Sequence, residues 1–396
     1  MYEAVRKELY ETERLSALSD DELRQKIDRI FVRQNGAKYL TVEDRVAAVN
    51  QIFSQLRGLG ILDGLLRDDT VSEIMINRFD RIFVEQNGMV RRSELRFERE
   101  RDLEDIIERI VRNSGKEINQ ANPIVDTRLP GGERVNVVLP PISIGSPVVT
   151  IRRFPKERIT MERLISLGSI SEEAARFLRQ MVCARYNIFI SGGTSSGKTT
   201  FLNALSDFIP PEERIITIED SAELQITGIP NLIRMEARNS NTTGAGAITI
   251  QNLIRTSLRM RPDRIIVGEV RGAEALDMLN AMNTGHDGSL STGHANSSRD
   301  MLRRLETMVM QGGSGLPLPA VRRNVASSID ILVHLGKIGS RKRAVLEICE
   351  IAGMQGEEIA LNLLFQRREG RLLPTGSELR NRAKLDLYGE RHEPSF

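Results

Sequence analysis

The chain has 396 residues, of which 40% are hydrophobic and 28% are charged, a composition typical of a globular protein with roughly two to three domains. The formal net charge of +2, the 4% of aromatic residues and the absence of tryptophan argue against a strongly basic nucleic-acid surface and against a base-stacking platform. Two cysteines, Cys183 and Cys349, exclude a disulfide framework and a zinc site with four cysteine ligands, and we expect both to be buried thiols in a reducing compartment.

Residues 1–66 carry the patterns of helices. Ser19 and Glu22 have the S-x-x-E spacing of a capping box, and apolar residues recur at helical spacing after it. A second helical stripe ends at Gly58, since glycine commonly terminates a helix. The pattern predicts a helical N-terminal segment whose apolar faces serve as helix-packing surface or, alternatively, as a docking surface for another protein.

Residues 67–155 change to short β-prone runs that are interrupted by turns and by one helical stripe. The first run lies at 72–77, and the last, at 147–154, contains Arg152 and Arg153 near its end. The mixture predicts a small α+β domain with hairpins. Because side chains alternate along a strand, the two arginines face opposite ways, either as solvated residues or as an anion contact directed at the next domain.

The most specific motif follows a β-prone run at 186–190 and precedes a helical pattern at 199–209. It reads Ser191-Gly-Gly-Thr-Ser-Ser-Gly-Lys-Thr-Thr200 and contains the P-loop pattern G-x-x-x-x-G-K-[ST]. Its glycines let backbone N–H groups approach a phosphate, and the helix N-terminus faces the anion. Lys198 reaches the β and γ oxygens of the nucleotide, and the Thr199 hydroxyl ligates Mg²⁺. The motif predicts a site for ATP and Mg²⁺ built from Gly192, Gly193, Thr194, Ser195, Ser196, Gly197, Lys198, Thr199 and Thr200.

Two later apolar runs, 214–220 and 264–269, have the composition of buried strands and end in acidic residues. Glu219 lies at the end of the first run, with Glu223 shortly after it, and Glu269 ends the second. A carboxylate at such a strand end is typical of a Walker B element, where it holds the water shell of Mg²⁺. Because buried acids without partners cost free energy, these acids beside a P-loop favour a metal–phosphate site over a structural role.

Two of the four histidines, His286 and His294, lie in one polar stretch. With no cysteine or third histidine nearby they make a poor zinc site, so we expect them to sense phosphate or to relay a conformational change. A strand at 330–335 and a hairpin at 343–365 follow. From residue 366 onward the composition predicts a frayed polar tail.

Four boxes thus follow one another along the chain. They are the P-loop, the acidic box Thr217-Ile-Glu-Asp-Ser-Ala-Glu-Leu-Gln225, the Walker B box Leu258-Arg-Met-Arg-Pro-Asp-Arg-Ile-Ile-Val-Gly-Glu-Val-Arg-Gly-Ala-Glu274 and the histidine box Ala281-Met-Asn-Thr-Gly-His-Asp-Gly-Ser289. This set resembles the secretion ATPase superfamily, the motors of type II secretion, type IV pili and type IV secretion. Within it, the chain is similar to the CpaF-type ATPases of tight-adherence (Tad) pili.

The chain departs from the family pattern in three places. It reads Thr292-Gly293-His294 where the family usually has Thr-Ile-His, and Asp220-Ser221 where related acidic boxes often carry Asp-Pro. It also lacks the paired cysteine motifs of type II secretion ATPases. These departures leave the superfamily resemblance intact but bear on which secretion system the chain serves.

The resemblance implies an α/β fold: a RecA-like P-loop ATPase core preceded by a smaller, sensor-like N-terminal α+β domain and an N-terminal helical segment. It also implies a homohexamer that hydrolyses ATP at the seam between the two domains. The predicted parts are a helical segment at 1–66, the α+β domain at 67–155, a linker with a helix at 156–185, the RecA-like ATPase domain at 186–366 and the polar tail at 367–396.

The resemblance also implies roles for individual residues. By similarity to pilus ATPases, Glu223 orients the attacking water, with Glu219 as the alternative. Thr199 and, through water, Glu269 hold Mg²⁺. Arginines of the N-terminal domain close on the γ-phosphate, while Arg271 either couples the site to domain position or is a plain surface charge. The predicted nucleotide contacts outside the P-loop are Arg134, Arg152, Arg153, Arg271, His286 and His294.

The predicted function is a motor that hydrolyses ATP to power Tad-like or type IV-like pilus assembly, including extension and retraction, or type II-like secretion. The expected partner is an inner-membrane platform protein. Because the sequence shows no apolar signal region and no run near the ~18 apolar residues of a membrane span, we expect a cytoplasmic protein that reaches the membrane only through partners. The alternatives are a conjugative type IV secretion ATPase and a low-turnover nucleotide-binding assembly switch. The small net charge disfavours a DNA translocase and predicts no nucleic-acid partner.

Overall fold

The computed structural model describes residues 5, 8–9, 18–35, 41–153, 158–238, 246–313, 315–339 and 342–388. The chain divides into two compact units, Met1–Lys156 and Glu157–Phe396. Among the helices of the described residues, none combines the length and the apolarity that crossing a membrane requires.

The first unit begins with three helices, α1 (Asp20–Asn35), α2 (Val42–Arg57) and α3 (Leu62–Arg67). Before α1, the Glu22 N–H donates to Ser19 Oγ (3.3 Å) and the Ser19 N–H donates to Glu22 Oε2 (2.8 Å), so the predicted capping box is confirmed. The apolar stripes of α1 and α2 are buried against each other, which supports the packing interpretation. The side chains that they bury include Leu23, Ile27, Phe31, Ala48 and Ile52.

A sheet and one further helix complete the first unit. The strands are β1 (Val71–Arg78), β2 (Arg81–Gln86), β3 (Met89–Arg92), β4 (Ile124–Arg128), β5 (Arg134–Val138) and β6 (Val148–Arg152). They pair antiparallel in the order β3-β2-β1-β6-β5-β4. Helix α4 (Glu100–Asn113) packs into the same core, because its apolar residues share one face: Leu103, Ile106, Ile107, Ile110 and Val111.

The second unit is built on a nine-stranded sheet. Its strands are β7 (Ile188–Gly192), β8 (Ile215–Glu219), β9 (Leu232–Glu236), β10 (Arg264–Val270), β11 (Leu290–Gly293), β12 (Ile331–Ile338), β13 (Lys342–Gln355), β14 (Glu358–Arg368) and β15 (Arg371–Pro374). The spatial order is β15-β14-β13-β12-β7-β11-β10-β8-β9. The six strands from β12 to β9 pair in parallel, and β13 to β15 extend the sheet antiparallel.

Helices cover both faces of this parallel sheet, which explains why its central strands read as continuous apolar runs. One apolar cluster joins α5 (Met161–Ser166), α6 (Glu172–Cys183) and α7 (Lys198–Ser206) to Ile188 and Ile190 of β7. The opposite cluster contains Phe189 and draws on four helices: α8 (Ile250–Ser257), α9 (Glu274–Asn283), α10 (Ser298–Gln311) and α11 (Leu318–Ser328). The predicted α/β class, with a P-loop core and a smaller α+β unit before it, is confirmed.

Two stretches are more ordered than their composition predicts. The predicted linker at 156–185 supplies α5 and α6, whose apolar faces join the core of the second unit. The described part of the predicted frayed tail, up to residue 388, adds β15 and a last helix, α12 (Ala383–Tyr388), while 389–396 lie outside the described residues. Its backbone is fixed by Glu350, which is buried and accepts from the N–H groups of Arg380 (3.0 Å) and Asn381 (2.7 Å). Hydrogen bonds from backbone N–H groups to a buried carboxylate can thus hold a polar segment in place, because they do not require apolar side chains.

Candidate functional site

The predicted P-loop lies at the carboxyl end of β7, where the order of the parallel strands reverses. The chain leaves β7 toward β8 and β9 on one side of it in the sheet, and it later returns to place β12 on the other side of β7. A crevice outside the carboxyl ends of the strands at such a point is the usual ligand site of an open α/β sheet. The topology therefore places the phosphate-binding motif where this class of sheet binds ligands.

Two glycines of the motif are required by its geometry. Gly197, directly before α7, has φ +94°, a left-handed conformation that glycine adopts without strain. At Gly192 an added Cβ would lie 2.6 Å from the Leu335 carbonyl oxygen and 2.5 Å from Ser196 Oγ, closer than real contacts allow. The Ser196 hydroxyl is itself buried and has no hydrogen-bond partner among the described residues. The loop is thus tightly folded and holds an unsatisfied polar group, as expected of a cradle for an anion.

Lys198 begins α7, and its side chain is folded back over the loop. Its Nζ donates to the carbonyl oxygens of Gly192 (3.1 Å) and Gly193 (3.2 Å) and lies 3.1 Å from His294 Nδ1. Burial lowers the pKa of Lys198, an effect that the nearby Glu269 carboxylate opposes. The ammonium group is therefore held over the loop by weak neutral acceptors, which charged phosphate oxygens can replace.

His294 connects Lys198 to the predicted Walker B acid. Its Nε2 lies 2.7 Å from Glu269 Oε1, although that buried oxygen has no aligned hydrogen-bond donor among the described residues. Burial lowers the pKa of His294, and the neighbouring Glu269 acts against that shift. A neutral ring can accept from Lys198 at Nδ1 and keep its proton at Nε2, toward Glu269. The three side chains thus form one continuous polar chain at the mouth of the P-loop.

Arg271 extends this chain outward. Its Nε (2.9 Å) and Nη2 (2.6 Å) both donate to Glu269 Oε2, and its Nη1 lies 3.5 Å from Asp220 Oδ2 at the end of the acidic strand. The guanidinium therefore joins the two acidic strand ends that the sequence placed beside the P-loop. This geometry argues against a plain surface charge for Arg271, while its coupling to domain position stays a prediction.

Glu219 is the most deeply buried acid of the site, with 4% of its surface exposed. Its Oε2 accepts from the backbone N–H groups of Glu223 and Leu224, both at 2.7 Å, whereas Oε1 is buried without a partner in the described part of the chain. Burial raises the pKa of Glu219 to about 7. Glu219 therefore fixes the turn that carries Glu223, and it directs one unsatisfied carboxylate oxygen into the protein.

This raised pKa makes the stability of the folded chain depend on pH. The pKa of Glu219 is about 7 in the folded state against an ordinary value of 4.5, so the folded state binds the proton more tightly than the unfolded state. The corresponding stabilisation is complete below pH 4.5 and is lost as the pH rises through about 7.

Glu219→Gln is expected to remove this dependence. A glutamine oxygen can still accept from the two backbone N–H groups, but it does not titrate. As the pH rises from 5 to 8, the unfolding free energy of the variant should therefore increase by about 2 kcal/mol relative to that of the wild type. Denaturant unfolding of the nucleotide-free protein at both pH values measures the difference. Glu173→Gln, at an exposed position on α6, is the control. Identical pH profiles for Glu219→Gln and the wild type would contradict the interpretation.

The residues fit a magnesium ion that is held mainly by substrate phosphates. No group of three potential protein ligands for a metal occurs among the described residues. Mg²⁺ in phosphoryl-transfer sites usually takes only one or two protein oxygens, with phosphates and water completing the octahedron. The half-buried Thr199 and Glu269 supply oxygens of the required kind.

His286 is not brought to the P-loop. It precedes β11, at the amino end of the parallel strands, whereas His294 follows β11 at the carboxyl end with the P-loop. The ring lies against the C-terminal turn of α9, with Nδ1 3.2 Å from the Ala281 carbonyl oxygen. The two histidines of one polar stretch are thus separated by a strand, and we no longer propose a nucleotide contact for His286.

The three arginines predicted to reach the nucleotide from the first unit differ in their surroundings. Arg153 is buried and its guanidinium donates to the carbonyl oxygens of Asp68 and Val71. Arg152 is exposed and lies opposite Arg134 in the β5–β6 register, so their side chains share one face of the sheet. Arg134 Nη2 already lies 3.9 Å from Asp126 Oδ1, and Arg153 has backbone partners inside its own unit, so Arg152 is the best placed of the three to bind an anion.

Sequence reasoning missed one polar pair behind the P-loop. Ser191 Oγ and His334 Nδ1 are 2.8 Å apart and both residues are buried. Burial lowers the pKa of His334, against which Glu347 and a hydrogen bond to the Asn296 backbone act. The ring thus links the strand of the P-loop to the segment after His294. The available signal was a single histidine inside the apolar run 331–335.

The chain is similar to known proteins over most of its length. The family model described as type II/IV secretion system protein matches residues 55–354. The chain is similar to the conjugal transfer protein TrbB of Rhizobium radiobacter, with 34% identity over 73% of this chain and 86% of that protein. It is 35% identical to the type IV secretion system protein PtlH of Bordetella pertussis, over 71% of this chain and 90% of that protein. Its fold resembles that of the ATPase DotB of Legionella pneumophila (TM-score 0.52, 21% identity, 73% of this chain and 79% of that chain).

Proposed function

Because the chain belongs to the type II/IV secretion system protein family and is an ATPase, we propose that it works as a homohexameric motor on a membrane-bound machine that moves protein subunits. The observation that carries this proposal is the polar chain from Lys198 through His294 to Glu269. It joins the phosphate-binding loop to a carboxylate at a neighbouring strand end, which is the layout that ATP hydrolysis requires.

In this proposal the residues of the second unit position the nucleotide and a water molecule. Lys198 exchanges its two backbone carbonyl acceptors for the β and γ phosphates, which are stronger acceptors because they are charged. Thr199 and, through water, Glu269 hold Mg²⁺, which when bound neutralises charge on the phosphates. His294, in contact with both Lys198 and Glu269, senses whether the γ-phosphate is present.

Glu223 is the proposed acid that orients the attacking water, and Glu219 is a positioning residue for it. The support is that Glu219 Oε2 accepts from the Glu223 N–H (2.7 Å) and so fixes the backbone from which the Glu223 side chain extends. Glu219, by contrast, is buried. A carboxylate that orients water must be within hydrogen-bond reach of it, which favours the more exposed residue.

Replacing each acid by glutamine distinguishes the roles of Glu223 and Glu219. Glu223→Gln is expected to lower kcat for ATP by about 10²-fold or more while ADP affinity stays within about twofold, because only the base is lost. Glu219→Gln keeps an acceptor for the two N–H groups and should lose less activity. Phosphate release and fluorescent-ADP binding measure both quantities. A normal rate for Glu223→Gln with a large loss for Glu219→Gln would reverse the assignment.

The proposed motor could serve either of two membrane assemblies. The four boxes resemble those of CpaF-type ATPases, which favours Tad-like pilus assembly through an inner-membrane platform protein at its cytoplasmic face. The similarity to the conjugal transfer protein TrbB and to the type IV secretion system protein PtlH favours a conjugal or type IV secretion machine instead. Replacing the native gene by the Glu223→Gln variant separates them: loss of surface pili supports the first, and loss of conjugal transfer or secretion with pili retained supports the second.

The oligomer and the motor activity are tested on the purified protein. A mass of six chains by light scattering, together with steady phosphate release, is the expected result. Nucleotide binding with no steady turnover would instead support the low-turnover assembly switch.

A further inference from the structure

An arginine-rich cleft of about 450 Å³ lies beside the segment that follows His294. Its walls include Arg271, Asp300, Arg303, Arg304, Thr307 and Met308, and we call it the arginine cleft. Apart from Arg271, these residues all belong to α10, at spacings of three and four that place them along one side of the helix. The cleft is therefore a feature of a regular helix rather than of a mobile loop.

Two of the three arginines in the arginine cleft have no carboxylate partner among the described residues; the third, Arg271, pairs with Glu269. Arg303 and Arg304 are exposed, and neither makes an ion pair with a carboxylate in the described part of the chain. Two acids lie close in sequence: Glu306 pairs with Arg322 (3.1 Å), and Asp300 accepts from the Ser297 hydroxyl (2.8 Å) at the start of α10. Guanidinium groups gathered in a cleft without anionic partners are the usual means of binding carboxylates or phosphates.

Arg271 connects the arginine cleft to the ATPase site. The same guanidinium that lines the cleft donates twice to Glu269 Oε2 and lies 3.5 Å from Asp220. An anion that enters the cleft competes with Glu269 for this guanidinium. Occupation of the cleft therefore changes the electrostatic partner of the carboxylate that contacts His294.

We propose that the arginine cleft binds an acidic peptide segment of a partner protein, and that binding draws Arg271 away from Glu269 and so raises the rate of ATP hydrolysis. The rate effect rests on the proposed function, whereas the binding does not. A peptide fits better than a single free anion for two reasons. The volume of the cleft accommodates several side chains, and Ala295 supplies an apolar contact beside the arginines. A partner that presents two or three carboxylates satisfies the separate guanidinium groups at once.

The binding test uses fluorescent hexaglutamate as the probe and the full-length protein without nucleotide. We expect the double variant Arg303→Ala/Arg304→Ala to weaken hexaglutamate binding by about tenfold or more, and higher salt to weaken binding to the wild type. Alanine favours helix, so the substitutions should leave α10 intact. Thermal unfolding checks that the fold is retained.

Arg299→Ala is the matched control. Arg299 is an exposed arginine one turn from Arg303 on the same helix, but it does not line the cleft. Its substitution should change the dissociation constant by less than about twofold, as is common for an exposed charge. Equal losses for Arg299→Ala and the double variant would show diffuse surface attraction and overturn the proposal. Tight binding of inorganic phosphate with no binding of hexaglutamate would overturn it in favour of a free-anion site.

The coupling is tested by ATP turnover with and without hexaglutamate. We expect the peptide to raise kcat in the wild type and to have no effect in the double variant, whose basal turnover should be normal. Peptide binding without any change in turnover would remove the coupling through Arg271. If the wild type hydrolyses no ATP at all, the proposed function fails, while the binding test still decides whether the cleft takes acidic peptides.

Discussion

Lys198→Ala is expected to abolish ATP turnover, with a loss of about 10³-fold or more in kcat/KM, while the fold remains intact. Among the described residues, only the Lys198 side chain contacts the carbonyl oxygens of Gly192 and Gly193 and also His294. Its removal takes away one end of the polar chain to Glu269 and, in the proposed mechanism, the charge that neutralises the γ-phosphate. Phosphate release and fluorescent-ADP binding measure the loss.

Two controls keep this result interpretable. Lys342→Ala removes an exposed lysine from the same unit and should leave turnover unchanged. The unfolding midpoint of Lys198→Ala should stay close to that of the wild type, because removing a buried ammonium group relieves its desolvation cost and so offsets the loss of its hydrogen bonds to the two carbonyl groups. A wild-type rate with normal nucleotide affinity would remove the P-loop assignment.

Arg152→Ala is expected to lower kcat by about 10³–10⁵-fold, which is the range known for arginines that stabilise phosphoryl transfer. Arg152 is exposed at the end of β6, beside Glu73 and opposite Arg134. Asp126, 3.9 Å from Arg134, and Glu73, beside Arg152, partly compensate the two arginines, and a γ-phosphate would be a stronger partner for Arg152 than a single carboxylate. If Arg152 contacts the γ-phosphate as we expect, hydrolysis removes that contact and would release the first unit. ADP affinity and the oligomer should be retained.

Arg153→Ala is the matched comparison, since it changes the neighbouring residue of the same type. Its guanidinium donates to two backbone carbonyls and lies 3.3 Å from Asp69, so its loss should cost the unfolding free energy of the first unit about 1–3 kcal/mol instead. Turnover per folded molecule should stay near the wild-type value. If Arg152→Ala hydrolyses ATP normally and Arg153→Ala does not, the arginine that reaches the nucleotide has been misidentified.

Local sequence patterns were enough to identify the P-loop, the two acidic strand ends and the α/β class. The glycines of the P-loop have a fixed spacing because one of them needs φ +94° and another has no room for a Cβ. The strands of the core were recognisable because a parallel sheet with helices on both faces buries every residue of a run such as 188–192. Each of these signals depends on residues close together in the chain.

Which side chains lie together, and which already have partners, was decided only by the tertiary structure. Strand alternation predicted that Arg152 and Arg153 face opposite ways, but only the packing of β6 against the turn before β1 shows which guanidinium is occupied. His286 and His294 looked equivalent until β11 placed them at opposite ends of the sheet. Ser191 and His334 pair across 143 residues because β7 and β12 are adjacent in the sheet. Long-range pairing of this kind depends on the packing of the whole unit, since strand adjacency is decided by burial of both faces rather than by the sequence near either residue.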